Sequence, residues 1–429
     1  MIKILKYSDL DFAALDRRMN LQSSAEIESS VDIILDSVKT RGDAAVMDYT
    51  EQYDGMRPES LIVSSEEMSE ALSSIDPSFL NILKEAAENI KNFHTKQVRT
   101  GYSITDKNGI LLGQRVTAIE KVGIYVPGGT ASYPSTVLMN AIPAKLADVE
   151  QLVMCTPPGK DGKISPSILA AAHISKVDII FKCGGAQAVA AMAFGTKSIP
   201  KVYKIVGPGN IFVATAKRKV FGLVDIDMMA GPSDISVLAD ENADPVHIAV
   251  DMLAQAEHDK LASAILVTTS ATLANLVRDE IKRQLEKLPR AEIASAAIKD
   301  GSMIVVCGNM SDAVYCVNRI APEHLEIYTE NPFAILGEIK NAGSIFLGGY
   351  APEALGDYFA GPNHTLPTMG TARFASPLSV DDFVKKSSYT YYSREALAAV
   401  SEKIASFARA EGLEAHARSV EVRNDEISG

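Results

Sequence analysis

Short apolar runs that stop at Gly or Pro and give way to alanine-rich stretches of helical length recur from residue 122 to about 240. This rhythm constrains the chain more than any other feature, because a parallel sheet covered by crossover helices satisfies it. The runs are 122–126, 152–155, 177–181, 202–206 and 235–238. The helical stretches 136–147, 167–174, 186–193 and 211–221 each have the length of one crossover. A second series follows, with strand-like runs at 264–268, 303–306, 325–328 and 344–347 and helical patterns at 245–258 and 272–288. Glycine pairs after strands, at Gly128 and Gly129, Gly184 and Gly185, and Gly348 and Gly349, fit two related α/β halves. Residues 21–100 read as helical and charge-rich, and 394–409 as one more helix before a polar end, EGLEAHARSVEVR, that is either a tail or an arm.

A chain of 429 residues with 47% hydrophobic and 22% charged side chains can fill two or three cores. Its 42 Lys and Arg against 54 Asp and Glu give a net charge of -12, which disfavours nucleic acid or an anionic membrane and favours small-molecule chemistry. The start, MIKILKYSDLDF, meets Asp9 and Asp11 before an apolar signal core could form. Runs such as 188–194 fall far short of the roughly 18 residues of a membrane span. Cys155, Cys183, Cys307 and Cys316 show no C-x-x-C spacing and point to a reducing compartment without a disulfide framework. The expectation is a cytoplasmic protein.

His94, His173 and His247 sit in helical patterns as ordinary solvated or hydrogen-bonded side chains. The other four histidines stand beside polar groups in Gly- or Pro-punctuated segments. In AQAEHD, Gln255 and His258 lie three apart on a helix, so an amide and an imidazole share one face about 5–6 Å apart at Cβ and can share a metal. A helix C-terminus with a favourable histidine and nothing bound reads the same way. In NRIAPEHLEIYT, Pro322 blocks a helix and leaves Glu323 and His324 at a sheet end, where open α/β sheets place ligands. A carboxylate beside an imidazole can divide water activation and proton shuttling, with a turn cap as the alternative. The stretch LGGYAPEALGDYFAGPNHTLPT reads as a structured loop carrying His364 and Asp357, the latter a candidate third ligand or an Asx-turn residue. EGLEAH holds Glu411 and His416, either on a solvated helix face or closing an N/O metal site.

Neither G-x-G-x-x-G nor G-x-x-x-x-G-K-[ST] occurs. The turns in YVPGGT, CGGAQA and VGPGN follow strand ends, where backbone N–H groups and helix N-termini favour phosphate, and plain tight turns have the same composition. Cys155 and Cys183 have no adjacent histidine or basic residue and are assigned to packing rather than to a thiohemiacetal.

Read in order, VGIYVPGG at 122–129, MNAIPAKLA at 139–147, CGGAQA at 183–188, VGPGN at 206–210, MAGPSDI at 229–235, QAEHD at 255–259, NRIAPEHLEI at 318–327, GDYFAGPNHTLPT at 356–368 and EGLEAHA at 411–417 form a specific set. Through them the whole chain resembles the histidinol dehydrogenase family. The fold expected is two Rossmann-like doubly wound α/β domains with a helical N-terminal segment and a C-terminal arm. Their bounds are 1–25 for an N-terminal arm, 26–120 with 237–375 for a first, discontinuous α/β domain, 121–236 for a second, and 376–429 for the C-terminal helical arm.

The resemblance implies oxidation of L-histidinol to L-histidine through the aldehyde by two successive hydride transfers to NAD. It implies one zinc ion per subunit on Gln255, His258, Asp357 and His416, which would orient the substrate's amine and imidazole nitrogens. His324 is then the base for the alcohol proton and Glu323 the base that activates water onto the aldehyde. Tyr125, Gln187 and Asn210 are assigned to NAD; Ser233 and Glu411, with His324 and the four zinc residues, are assigned to the substrate, and His364 is their neighbour. A homodimer is implied in which the C-terminal arm completes the partner's site, with neither nucleic acid nor membrane as partner. Asp259 stands where other members can carry Gly, a departure that leaves the ligand set intact. A related zinc- and NAD-dependent dehydrogenase acting on a sulfonated diol is disfavoured by Glu411, whose carboxylate would repel a sulfonate. A zinc-stabilised scaffold would need no pair of bases such as Glu323 and His324.

Overall fold

A computed structural model describes residues 2–13, 24–106, 109–128, 132–229 and 231–428. Residues 14–23 of the expected N-terminal arm, Gly129 of the YVPGGT turn and Ala230 of MAGPSDI lie outside the described residues. The chain divides into two compact units, one of Met1–Gln97 with Ile119–Phe383 and the other of Val98–Ala118 with Val384–Gly429.

Strands are numbered along the chain: β1 Lys3–Lys6, β2 Tyr102–Thr105, β3 Ile110–Ala118, β4 Lys121–Tyr125, β5 Gln151–Thr156, β6 Ile179–Lys182 and β7 Lys204–Val206. They continue as β8 Asp225–Ile226, β9 Asp234–Ala239, β10 Ser263–Thr268, β11 Met303–Val306, β12 His324–Tyr328, β13 Ser344–Leu347 and β14 Val384–Tyr392. Among the described residues the first unit holds two parallel sheets, ordered β6-β5-β4-β7-β8 and β1-β11-β10-β9-β12-β13. Counted from its own first strand, each series runs 3-2-1-4-5, so each sheet reverses direction once, between β4 and β7 and between β9 and β12. β1 extends the second sheet at the β11 edge. This is the doubly wound α/β fold expected of the alternating runs.

The second sheet has a core on each face, as the two-residue period of a strand demands. Ile235, Val237, Leu266 and Ile304 face the layer of helices Pro245–Ala256 and Ala271–Leu285. Leu238, Ile265, Val267 and Val305 face helix Met310–Ile320 through Val314 and Val317. Beside the first sheet, the interior of helix Pro134–Leu146 contains Pro143, whose ring nitrogen cannot donate to the carbonyl four residues back. That carbonyl, on Met139, accepts instead from Asn363 Nδ2 at 2.7 Å, which ties the segment before His364 to the helix. Asn363 Oδ1 meanwhile accepts from Thr365 N at 2.9 Å, so the side chain braces both its neighbours.

Two local expectations are corrected, and one sheet is added that no expectation covered. Asp357 is not in a loop but on the short helix Glu353–Tyr358. Helix Pro245–Ala256 ends before His258, whose N–H reaches the Gln255 carbonyl at 3.3 Å from the turn beyond. The segments 102–118 and 384–392, which carry no clear apolar alternation, pair as an antiparallel sheet, β14-β3-β2, in the second unit. Two helices, Arg394–Ala410 and Glu414–Ser428, complete that unit; Arg409 ties them by pairing with Glu414 and Glu421.

Candidate active site

Ser233, Gln255, His258, Glu323, His324, Asp357 and His364 line one cavity of about 360 Å³ in the first unit. Pro127 and Gly128 after β4 and Gly207 to Gly209 after β7 line it as well. The cavity therefore lies at the carboxyl ends of the first sheet but at the amino ends of the second. Glu323 and His324 open β12, and Ser233 directly precedes β9. This corrects the placement taken from open sheets in general, which puts ligands at carboxyl ends. A chain that leaves β9 and returns along helix Pro245–Ala256 delivers Gln255 and His258 to the amino edge, which makes that edge chemically rich.

Asp234, the first residue of β9, organises the acid–imidazole pair. Its backbone N–H donates to Glu323 Oε2 at 3.0 Å, and its Oδ1 accepts from Glu323 N at 3.0 Å. Its carbonyl lies 3.3 Å from His324 Nδ1, and its Oδ2 accepts from Met369 N at 3.0 Å. With Nδ1–H committed to a carbonyl, His324 keeps Nε2 as an acceptor, and that atom is buried without a partner. Burial, which penalises the imidazolium, pushes the pKa of His324 down to about 3. Burial first, and then the Asp234 carboxylate, raise Glu323 well above the usual carboxylate range. His364 is likewise lowered by burial, to about 4, with Nδ1 3.1 Å from the Asp357 carbonyl.

Glu353 was not singled out by the sequence reading. It is buried at the start of the same helix as Asp357, and ligand atoms of His258, Glu353 and Asp357 lie within 4.8 Å of one another. In the orientation that satisfies its neighbours, the Gln255 amide donates to both Glu353 oxygens, at 2.6 and 2.8 Å, and its oxygen accepts from Asp234 N at 3.3 Å. Glu353 Oε1 also stands 3.8 Å from His324 Nε2. A signal was present: Glu353 and Asp357 are four apart, the spacing that puts two carboxylates on one helix face. Reading the segment as a loop hid it. Burial raises Glu353 well above, and Asp357 to about 6 from, their ordinary values. Two oxygens and an imidazole so arranged are a donor set for a divalent cation of the zinc type.

Tyr125, Gln187 and Asn210 all lie at carboxyl ends of the first sheet, after or at the end of β4, β6 and β7. The amides there are largely spent on the protein itself. The Tyr125 hydroxyl, pushed up to about 12 by burial, accepts from Gly185 N at 3.1 Å. Asn210 Oδ1 caps helix Ile211–Val220 by accepting from Phe212 N and Val213 N at 3.1 and 3.2 Å. The turns in CGGAQA and VGPGN are thus braced by side chains at the donors expected to meet phosphate. Gln187 is buried with its Oε1 unpartnered.

Glu411 and His416 belong to the second unit, both exposed: Glu411 follows helix Arg394–Ala410 and His416 lies in the first turn of the next helix. All four cysteines are buried and free. The Cys183 thiol is raised by its contact with Cys155 and by burial, as packing residues should be and a nucleophile should not.

Fold and cavity define a two-sheet α/β protein in which a buried carboxyl–imidazole pair shares one cavity with a cluster of side chains that could hold a metal ion. The sequence model of the histidinol dehydrogenase family matches residues 17–424, and the chain belongs to that family. It is an oxidoreductase of histidine biosynthesis acting through histidinol oxidation. It is 55% identical to histidinol dehydrogenase of Clostridium acetobutylicum, over 99% of both chains. It is 53% identical to that of Bacillus subtilis over the full length of both. The crystal structure of histidinol dehydrogenase from Elizabethkingia anophelis matches 100% of this chain and 99% of its own, with a TM-score of 0.94 at 35% identity. Among the described residues no helix is long and apolar enough to cross a membrane.

Proposed function

We propose that the protein oxidises L-histidinol to L-histidine in two successive two-electron steps, with zinc and NAD. The observation that carries this reading is the buried Glu323–His324 pair, which faces the clustered ligand atoms of His258 and Asp357 in one cavity. A zinc-stabilised scaffold would have no use for such a pair.

Gln255, His258, Asp357 and His416 would hold the zinc, which when bound supplies a Lewis-acid template for the substrate's nitrogens. The residues present fit such an ion: an imidazole and two carboxylates, of His258, Glu353 and Asp357, bring ligand atoms within 4.8 Å of one another, and Glu353 holds the Gln255 amide beside them. NAD, when bound near Tyr125, Gln187 and Asn210, supplies the hydride acceptor twice. The rest is done by the chain. His324, neutral and with Nε2 free, takes the hydroxyl proton as the alcohol is oxidised. Glu323, held at both its backbone and its carboxyl by Asp234, takes a proton from the water that adds to the aldehyde. A cation bound at the neighbouring ligand set would favour its carboxylate form. Ser233 and Glu411 hold the substrate, and these contacts keep the aldehyde in the cavity between steps. The protein works as a cytoplasmic homodimer in which the C-terminal arm supplies Glu411 and His416 to the partner.

The test is the yield of NADH per histidinol consumed, followed by absorbance on purified protein before chelation, after it, and after zinc is restored. Two NADH per substrate, lost with the chelator and recovered with zinc, is the expected result. A folded, zinc-loaded protein that forms no NADH overturns the reading.

A further inference from the structure

Lys217 and Asp227 form an ion pair that the proposed chemistry does not use, with side chains 3% and 1% exposed. Both charges are spent on one residue, Gly207. The Lys217 ammonium donates to the Gly207 carbonyl at 2.9 Å, and Asp227 Oδ2 accepts the Gly207 N–H at 2.7 Å. Asp227 Oδ1 accepts from Lys217 and, at 2.7 Å, from Met228 N. Gly207 has φ +111°, and a Cβ there would stand 2.1 Å from the Tyr125 carbonyl, so the turn is tight as well as clamped. Three residues on, Asn210 spends Oδ1 on its helix and keeps only its amide NH₂ for a ligand.

We propose that Lys217 and Asp227 are positioning residues for the cofactor end of the site. An ion pair this deep is costly to desolvate and adds little stability over an apolar pair of the same volume. What it does here is hold both backbone polar groups of one residue in a left-handed conformation, which fixes the direction in which Gly209 and Asn210 meet a ligand. Gly207 itself is excluded as a phosphate donor, because its N–H is already taken. The same pair joins the wall after β7 to the segment after β8 that leads to Ser233. The inference rests on the reading that NAD binds beside Asn210.

The experiment replaces the pair together, Lys217→Met with Asp227→Leu, which removes both buried charges at once and leaves neither uncompensated. With wild type as control, KM for NAD, KM for histidinol and kcat are measured on each folded protein. The expected result is a rise of at least about tenfold in KM for NAD, with kcat and KM for histidinol changed by less than about threefold, since the loss is confined to positioning one ligand. Equal losses in all three constants, or an unchanged KM for NAD, overturn the proposal. If the wild type itself reduces no NAD, the functional reading falls first and the inference with it. Should the double variant not fold, amide exchange on the wild type decides: a Gly207 N–H that exchanges slowly without NAD supports the clamp, and one that exchanges as fast as an open loop overturns it.

Discussion

A solvated histidine titrates near neutrality, but His324 is buried with its ring against Phe346 and its Nδ1 on a carbonyl, so it stays neutral and keeps one nitrogen for a proton. His324→Ala should fold and keep its metal yet lose turnover by about 10²–10⁴, the range of a missing general base. Glu323→Gln should slow oxidation of the aldehyde more than that of the alcohol. Single-turnover kinetics on each substrate would check both, and equal losses in the two steps would count against the division of roles. Glu353 lies in the cluster with His258 and Asp357 and holds the amide NH₂ of Gln255, which fixes that side chain beside the proposed cation site. Glu353→Ala should therefore weaken zinc binding by about 10–100-fold, as loss of such supporting groups does. Zinc retained against a graded chelator series measures this, and wild-type retention would remove Glu353 from the site.

At the scale of elements, the brace between Pro143 and Asn363 gives a paired prediction. Asn363→Leu leaves the Met139 carbonyl buried and unpaired, at a cost of about 1–3 kcal/mol in urea unfolding. Pro143→Ala in that background returns an N–H four residues on, and part of the loss should be recovered; no recovery would mean the carbonyl is satisfied otherwise. Asp54 ends helix Asp43–Asp54, where a negative charge opposes the helix dipole, and burial pushes its pKa up to about 6 from 3.8. A carboxyl raised on folding keeps its proton longer in the native state, so it favours folding least above pH 6 and has no effect below pH 4. Asp54→Asn should thus raise stability at pH 7 by about 1 kcal/mol, discounted for a half-exposed site, with the gain fading between pH 6 and 4. Thermal melts of cofactor-free protein across that range would show it. A pH-independent gain would mean that the carboxylate charge is not the cause. The parallel sheets were legible because buried strands and crossover helices leave unbroken apolar runs. Strands β2, β3 and β14 were not, because they alternate little and bury almost no side chain fully.

Across the whole molecule, the proposed ligand set would draw on residues separated by more than 150 positions, from Gln255 to His416. If the arm is supplied to the partner, subunits bearing His258→Ala and subunits bearing His416→Ala, each inactive alone, should regain about a quarter of wild-type activity when refolded together, since half the dimers then hold one intact site. No recovery would place each arm with its own subunit. The sequence by itself determined the family, the two doubly wound halves and the residue types of the site, because periodicity and motif order are local properties of a chain. Tertiary structure alone decided that the amino edge of the second sheet meets the carboxyl edge of the first, that Glu353 joins Asp357, and that Gly207 is clamped by an ion pair. Those facts depend on which strand ends face each other and on how far each carboxylate is removed from water, and neither is written in any short stretch of residues.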